Sequence, residues 1–260
     1  MIEKGHNIHL HPYLKRVVEK KGEQINFLDQ RFYKTEDGEY FPSVTSVLNF
    51  YPKNKFFENW LKDVSHNSDI IVRKASEEGT AVHTAIENFL DGHELKWMDD
   101  KGHANYSLDV WKMILRFTEF WKIVKPELLA SEIHLLNYEH KYAGTCDLVV
   151  KIDGKVWLLD IKTSNSLHTS YNLQLSAYAK AWNDLYPEEK IEKIGIIWLK
   201  SGKRSTKEGK MQGQGWEIVE PEMSIDEYFR MFMNVYEIYR LESPNDKPYF
   251  ESFPTSVKLN

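Results

Sequence analysis

Hydrophobic positions along the chain follow two different periods, and the change between them marks out its elements. Between Leu108 and Val124, Val110, Ile114, Phe117 and Trp121 recur at the helical spacing and stop ahead of Pro126, which predicts an amphipathic helix. Upstream, Ser43-Val44-Thr45-Ser46-Val47-Leu48 after Pro42 begins helical material. A helix is expected over Phe56 to Val64, and a longer one over Ser68 to Leu90 with Gly79 as a candidate break. Before these, the segment from Arg31 to Phe41 reads as a short hairpin turning at Asp37-Gly38.

Downstream the apolar residues fall into runs suited to strands. Gly144-Thr145-Cys146-Asp147-Leu148-Val149-Val150 and Val156-Trp157-Leu158-Leu159-Asp160-Ile161-Lys162 are separated by Asp153-Gly154, a dipeptide suited to a two-residue turn with positive φ at both positions. Ser170 to Tyr186 then reads as a helix and Ile191 to Leu199 as a buried strand, so a crossover connection should follow the hairpin. Lys200 to Gly215 is a basic loop. Ser224 and Glu227 have the capping-box spacing ahead of a last helix reaching about Leu241, and the tail after Pro244 is expected to be irregular. The fold class predicted is α/β, a mixed central β-sheet flanked by helices with a helical N-terminal portion. One domain over 1–260 is expected, with a mainly helical front at 1–125 and a sheet-containing core at 126–260.

A two-residue turn at Asp153-Gly154 sets the hairpin register and puts Asp147 directly opposite Asp160, with Cβ atoms about 5 Å apart. Lys162 emerges on the same face, with Val149, Val156 and Leu158. Cys146, Leu148, Val150, Trp157, Leu159 and Ile161 are assigned to the other, so both faces read as covered. Two carboxylates in such surroundings repel and lose hydration unless a cation sits between them. Oxygen donors suit Mg²⁺ or Mn²⁺, as one or two ions. The plain alternative is a pair of strand-end aspartates reaching solvent beside a lysine.

Composition narrows the setting. With 260 residues, 42% hydrophobic and 28% charged, the chain can bury one sizeable core. No run approaches the roughly 18 apolar residues needed to cross a bilayer, so neither a membrane association nor a leader is expected and a cytoplasmic location is the default. A single cysteine, Cys146, excludes an internal disulfide and a four-cysteine iron–sulfur cluster. The absence of a Gly-x-x-x-x-Gly-Lys-Ser/Thr loop argues against ATP chemistry. A net charge of −5 leaves nucleic-acid contact to local basic patches, of which Lys203, Arg204 and Lys207 form the candidate.

Taken in order, Pro42-Ser43-Val44-Thr45, Gly79-Thr80-Ala81-Val82-His83, Ala143-Gly144-Thr145-Cys146-Asp147, Asp160-Ile161-Lys162 and Gln174-Leu175-Ser176-Ala177-Tyr178 resemble the motif series of the RecB-type branch of the PD-(D/E)xK nuclease superfamily. In size and motif order the chain is similar to single-domain exonucleases of bacteriophages and of the mitochondrial genome-maintenance type. The resemblance implies a restriction-endonuclease-like core and metal-dependent hydrolysis of DNA, with single strands or DNA ends as substrate. Phage or host recombination, replication or repair proteins are the implied partners.

The same resemblance implies metal ligation by His83, Asp147, Asp160 and the Ile161 carbonyl. Lys162 would orient or deprotonate the attacking water, or offset the charge of the scissile phosphate, with its pKa lowered by partial desolvation near a metal. Gln174 and Tyr178, one helical turn apart, would hold substrate phosphate and support the site. Glu132 resembles the early strand glutamate and ranks as a secondary site residue, and Arg73 is a candidate phosphate contact. Taken singly, His83 reads as a core or interface histidine, with Glu87 a candidate acceptor for its second nitrogen; Tyr178 reads as a core-edge aromatic and Arg73 as a surface arginine. Two rival functions remain open: a noncatalytic DNA-binding or recombination accessory module, and a metallohydrolase of small phosphoesters. A complete Asp147, Asp160 and Lys162 set disfavours the first.

Overall fold

The computed structural model describes residues 23–27, 30–53, 68–201, 215–244 and 247–248. The helix expected over Phe56 to Val64, the basic residues Lys203, Arg204 and Lys207, and nearly all of the tail after Pro244 lie outside them. Five strands form the main sheet: β4 (Glu127–Asn137), β5 (Tyr142–Ile152), β6 (Lys155–Lys162), β7 (Lys193–Ser201) and β8 (Gly215–Val219), in that order across it. A smaller antiparallel sheet comprises β1 (Glu23–Phe27), β2 (Gln30–Lys34) and β3 (Tyr40–Pro42). The helices are α1 (Val44–Leu48), α2 (Ser68–Leu90), α3 (Leu108–Val124), α4 (Thr169–Leu185) and α5 (Ile225–Glu242). The mixed α/β class is as expected from the hydrophobic pattern; β1, β4 and β8 are additions to it, a strand at Glu132 being implied only by the resemblance. Among the described residues, no helix is long and apolar enough to cross a membrane.

The β5–β6 hairpin turns where Asp153 and Gly154 stand, with φ of 50° and 79°. The left-handed conformation at both positions matches the twist of the flanking strands. Its register runs from Ile152 opposite Lys155 to Leu148 opposite Leu159, as the turn demands. From β6 the chain crosses through α4 to β7, which pairs with β6 in parallel through Lys162 opposite Trp198. Parallel pairing requires such a crossover, and α4 supplies it on one face of the sheet.

Both faces are buried. Val149, Val156 and Leu158 pack with α1, α4 and α5, where Trp182 and Phe232 are fully enclosed. Leu148, Val150, Trp157, Leu159 and Ile161 pack with α2 and α3 around Phe117 and Phe120. One residue departs from the expected alternation: Cys146 belongs with Val149, not with Leu148. On β4, Ala130 and Ile133 likewise share that first core although they are three apart, and they pair with Val149 and Cys146. The alternation therefore slips on both strands at the same level, between Ser131 and Ile133 on β4 and between Cys146 and Leu148 on β5. Glu132 and Asp147 occupy the slip, and Glu132 has φ of 47° in mid-strand.

Helix α2 runs unbroken through Gly79. A Cβ at Gly79 would stand 3.3 Å from Thr163 Oγ1, so the glycine serves the close approach of α2 to the end of β6 and does not end the helix. Helix α5 starts with the expected capping box between Ser224 and Glu227. The small sheet is fastened to the large one by a bridge between Ser43 and Ala143 and by a 2.8 Å hydrogen bond between the Tyr33 and Thr145 hydroxyls.

Candidate metal centre

Past Leu148 and Leu159 the β5–β6 ladder ends, although both strands continue. β5 stays with β4 and β6 stays with β7, so the two strands part as a fork. Asp147 does not meet Asp160 as a regular cross-strand pair. Its Oδ2 instead accepts from the Ile161 backbone N–H at 2.7 Å, satisfying a donor that the ended ladder would leave free.

His83 approaches the fork from α2. Its Nε2 is 3.1 Å from the Ile161 carbonyl, and since a carbonyl can only accept, Nε2 carries a proton. That contact, rather than one to Glu87, orients the ring. Nδ1 then faces Glu132 Oε1 and Asp147 Oδ2, each at 3.7 Å. One donor atom from each of His83, Glu132 and Asp147 falls within 4.8 Å of the others, a group that could hold a metal ion. About a quarter of the His83 and Glu132 side chains remains open to solvent, 29% and 27%. Glu132 joins this group because its left-handed backbone breaks the strand alternation at the level of Asp147.

Asp160 is buried at 3% exposure, and its Oδ2 lies 2.5 Å from Lys162 Nζ. Burial pushes the Asp160 carboxyl up to about 6, with Lys162 pulling the other way and Asp147 adding to the rise. Asp147 is raised chiefly by burial, against the attraction of His83. Burial alone would lower the His83 pKa, but Asp147 and Glu132, with Asp160 beyond them, lift it to about 9. The lowered pKa expected of Lys162 belongs to a site that holds a metal; the protein's own groups by themselves raise it. Burial acts to lower it, but the Asp160 and Asp147 carboxylates outweigh burial and the ammonium is held charged. Several acidic groups crowded into one partly dry place, with an imidazole nitrogen aimed among them, fit a divalent cation.

The remaining expected residues take varied positions. Gln174 Nε2 donates to Tyr178 Oη at 3.2 Å, and Tyr178 is only 3% exposed. Tyr178 abuts Gly144, where a Cβ would come within 2.3 Å of its ring, and burial raises its pKa well above the usual value, with Asp160 and Asp147 adding to the rise. The pair thus stands behind the carboxylates, buttressing β5. The Ile161 carbonyl is engaged by His83. Arg73 is exposed on α2, 3.7 Å from Glu77.

A cleft of about 200 Å³ opens beside the fork, lined by His83, Ile161 and Lys162 together with Glu78, Ser164, Tyr171 and Lys200. Sequence reasoning passed over Glu78, Ser164 and Tyr171. Tyr171 had a legible signal, since with Gln174 and Tyr178 it completes an i, i+3, i+7 stripe on α4. Glu78 and Ser164 carried none.

No protein-family model matches the chain, and no curated protein matches its sequence. Among solved structures, the chain is similar to a provisionally named exonuclease from Eubacterium rectale, at 16% identity over 70% of this chain and 77% of that one, with a TM-score of 0.42. It is also similar to the protein SSO0001, at 13% identity over 66% of this chain and 88% of that one, with a TM-score of 0.27.

Proposed function

We propose that the chain is a single nuclease unit that hydrolyses phosphodiester bonds of DNA with the help of Mg²⁺ or Mn²⁺, as an exonuclease on single strands or DNA ends. The observation that carries this reading is the convergence of His83, Glu132 and Asp147 at the strand fork, with Asp160 paired to Lys162 and Lys162 and His83 lining an open cleft. His83 Nδ1, Glu132 and Asp147 would hold the cation, and Asp160 would join them once drawn from Lys162. When bound, such a cation supplies Lewis acidity toward the phosphoryl oxygens and acidifies water.

The protein's own groups do the rest. The Ile161 carbonyl fixes the His83 ring so that Nδ1 points inward. Asp147 ties the end of β6 to β5 through the Ile161 N–H. Lys162, beside Asp160 at the cleft, would orient or deprotonate the attacking water or offset the charge of the scissile phosphate. Lys200 at the cleft wall, 3.3 Å from Asn165 Oδ1, would have further ammonium donors for a neighbouring backbone phosphate, whereas the Ser164 hydroxyl donates to the Ser166 carbonyl.

The test is digestion of end-labelled linear and circular DNA, single- and double-stranded, with Mg²⁺ or Mn²⁺ and with chelator, alongside a small chromogenic phosphodiester. Cleavage of linear DNA that stops with chelator is expected. Retarded mobility without cleavage would identify an accessory DNA-binding module, and turnover of the small ester alone a phosphoesterase; either result overturns the proposal. Asp160→Ala and Lys162→Ala should abolish cleavage with the circular dichroism spectrum unchanged, and parental activity in Lys162→Ala would refute the assignment.

A further inference from the structure

Lys162 Nζ lies 4.6 Å from the centre of the Tyr171 ring and 2.5 Å from Asp160 Oδ2. The ammonium thus has two partners, a carboxylate of the sheet and an aromatic face of α4. Tyr171 is itself braced: the His168 ring meets it edge-on, with centroids 5.5 Å apart and planes at 80°. His168 stands at the N-cap of α4 without a side-chain hydrogen bond to the helix, and its ring packs on Tyr171.

We propose that Tyr171 is a positioning residue that holds the Lys162 ammonium at the cleft, an inference that rests on the nuclease reading of the site. The two partners of Lys162 differ in what a divalent cation does to them. Asp160 offers its carboxylate both to Lys162 and to any cation at the fork, so cation binding weakens its hold on the ammonium. The ring of Tyr171 carries no charge to give up, and its attraction for Lys162 persists. When Asp160 turns to a cation, Tyr171 becomes the group that keeps Nζ from swinging toward solvent. The phenol hydroxyl is not needed for this, since a phenylalanine ring presents a similar face.

The experiment compares the full-length protein with Tyr171→Phe and Tyr171→Leu. On a single-stranded oligonucleotide at saturating Mg²⁺, Tyr171→Leu should lower kcat about tenfold with KM little changed, the equivalent of about 1.4 kcal/mol. Tyr171→Phe should stay close to parental. Parental kcat in the leucine variant, equal losses in both variants, or a rise in KM alone would overturn the inference. A second readout needs no cleavage: the Lys162 ε-methylene resonances of metal-free protein should show an aromatic ring-current shift in the parent and Tyr171→Phe that disappears in Tyr171→Leu. Unmoved resonances in a leucine variant whose spectrum is otherwise folded would also overturn it. If the parent cuts no DNA, the nuclease reading falls while the resonances still decide whether the ring holds the ammonium.

Discussion

Glu132 adopts a left-handed backbone in the middle of a strand whose residues on either side remain paired. For a residue with a Cβ, such a conformation costs on the order of 1–3 kcal/mol. Glycine adopts it freely. Glu132→Gly should therefore raise the melting temperature of metal-free protein above that of Glu132→Gln, which keeps the strained backbone, while both weaken Mn²⁺ binding in a calorimetric titration. A lower melting point in the glycine variant would show that the backbone there is unstrained.

The pH behaviour follows from the two large shifts. Asp160, at about 6 in the folded chain, binds more protons there than when unfolded, so its contribution to stability falls as pH rises through about 4 to 6. His83, at about 9, contributes in full below its unfolded value and loses that contribution as pH climbs to about 9. A cation competes with both protons. Mn²⁺ affinity should increase with pH across this range, and binding near pH 7.5 should release a proton from His83, measurable by calorimetry in buffers of different ionisation enthalpy. At this scale Asp147, Asp160 and Lys162 were legible as types and spacing. The weight of Glu132 was not, because Ser131-Glu132-Ile133 reads as ordinary strand and a left-handed φ leaves no mark in such a triplet.

Among elements, β5 is positioned from both sides at one level. Tyr178 of α4 lies on Gly144, and Tyr33 of β2 bonds Thr145, two residues before Asp147. Gly144→Ala would drive a methyl into the Tyr178 ring, and overpacking of this kind costs about 1–3 kcal/mol. Chemical denaturation should show that loss, together with weaker Mn²⁺ binding through a displaced Asp147; an unchanged midpoint would contradict the tight contact. The hairpin register was legible because it depends on a dipeptide and a count. The fork was not, because it depends on β4 and β7 drawing β5 and β6 apart, which is a non-local matter. Gly79 misled for a related reason, as its role is set by Thr163 on another element.

For the molecule as a whole, burying carboxylates at the edge of two cores leaves the metal-free fold carrying repulsion that a cation relieves. Mg²⁺ or Mn²⁺ at about a hundred times its dissociation constant should stabilise the fold by about 2.7 kcal/mol. A melting temperature indifferent to either ion would argue against a cation site at the fork. If the chain acts on DNA as proposed, its net charge of −5 leaves the contact to local cations. Changing Lys203, Arg204 and Lys207 together should raise KM and flatten the dependence of binding on salt, with kcat little altered. The α/β architecture and the crossover were legible in the hydrophobic periods, whereas the attachment of the small sheet through Ser43 and Tyr33 had no local signature.

The Asp153-Gly154 turn lies at the opposite end of the hairpin from the fork, yet it decides which side chains reach there. Adding a single residue to that bend would offset β6 by one position against β5. Asp160 and Lys162 would then rotate toward the layer built by Phe117 and Phe120, and Leu159 and Ile161 would be presented in their place. The side chains presented at the cleft are in this sense encoded remotely, by two residues at the far end of the hairpin.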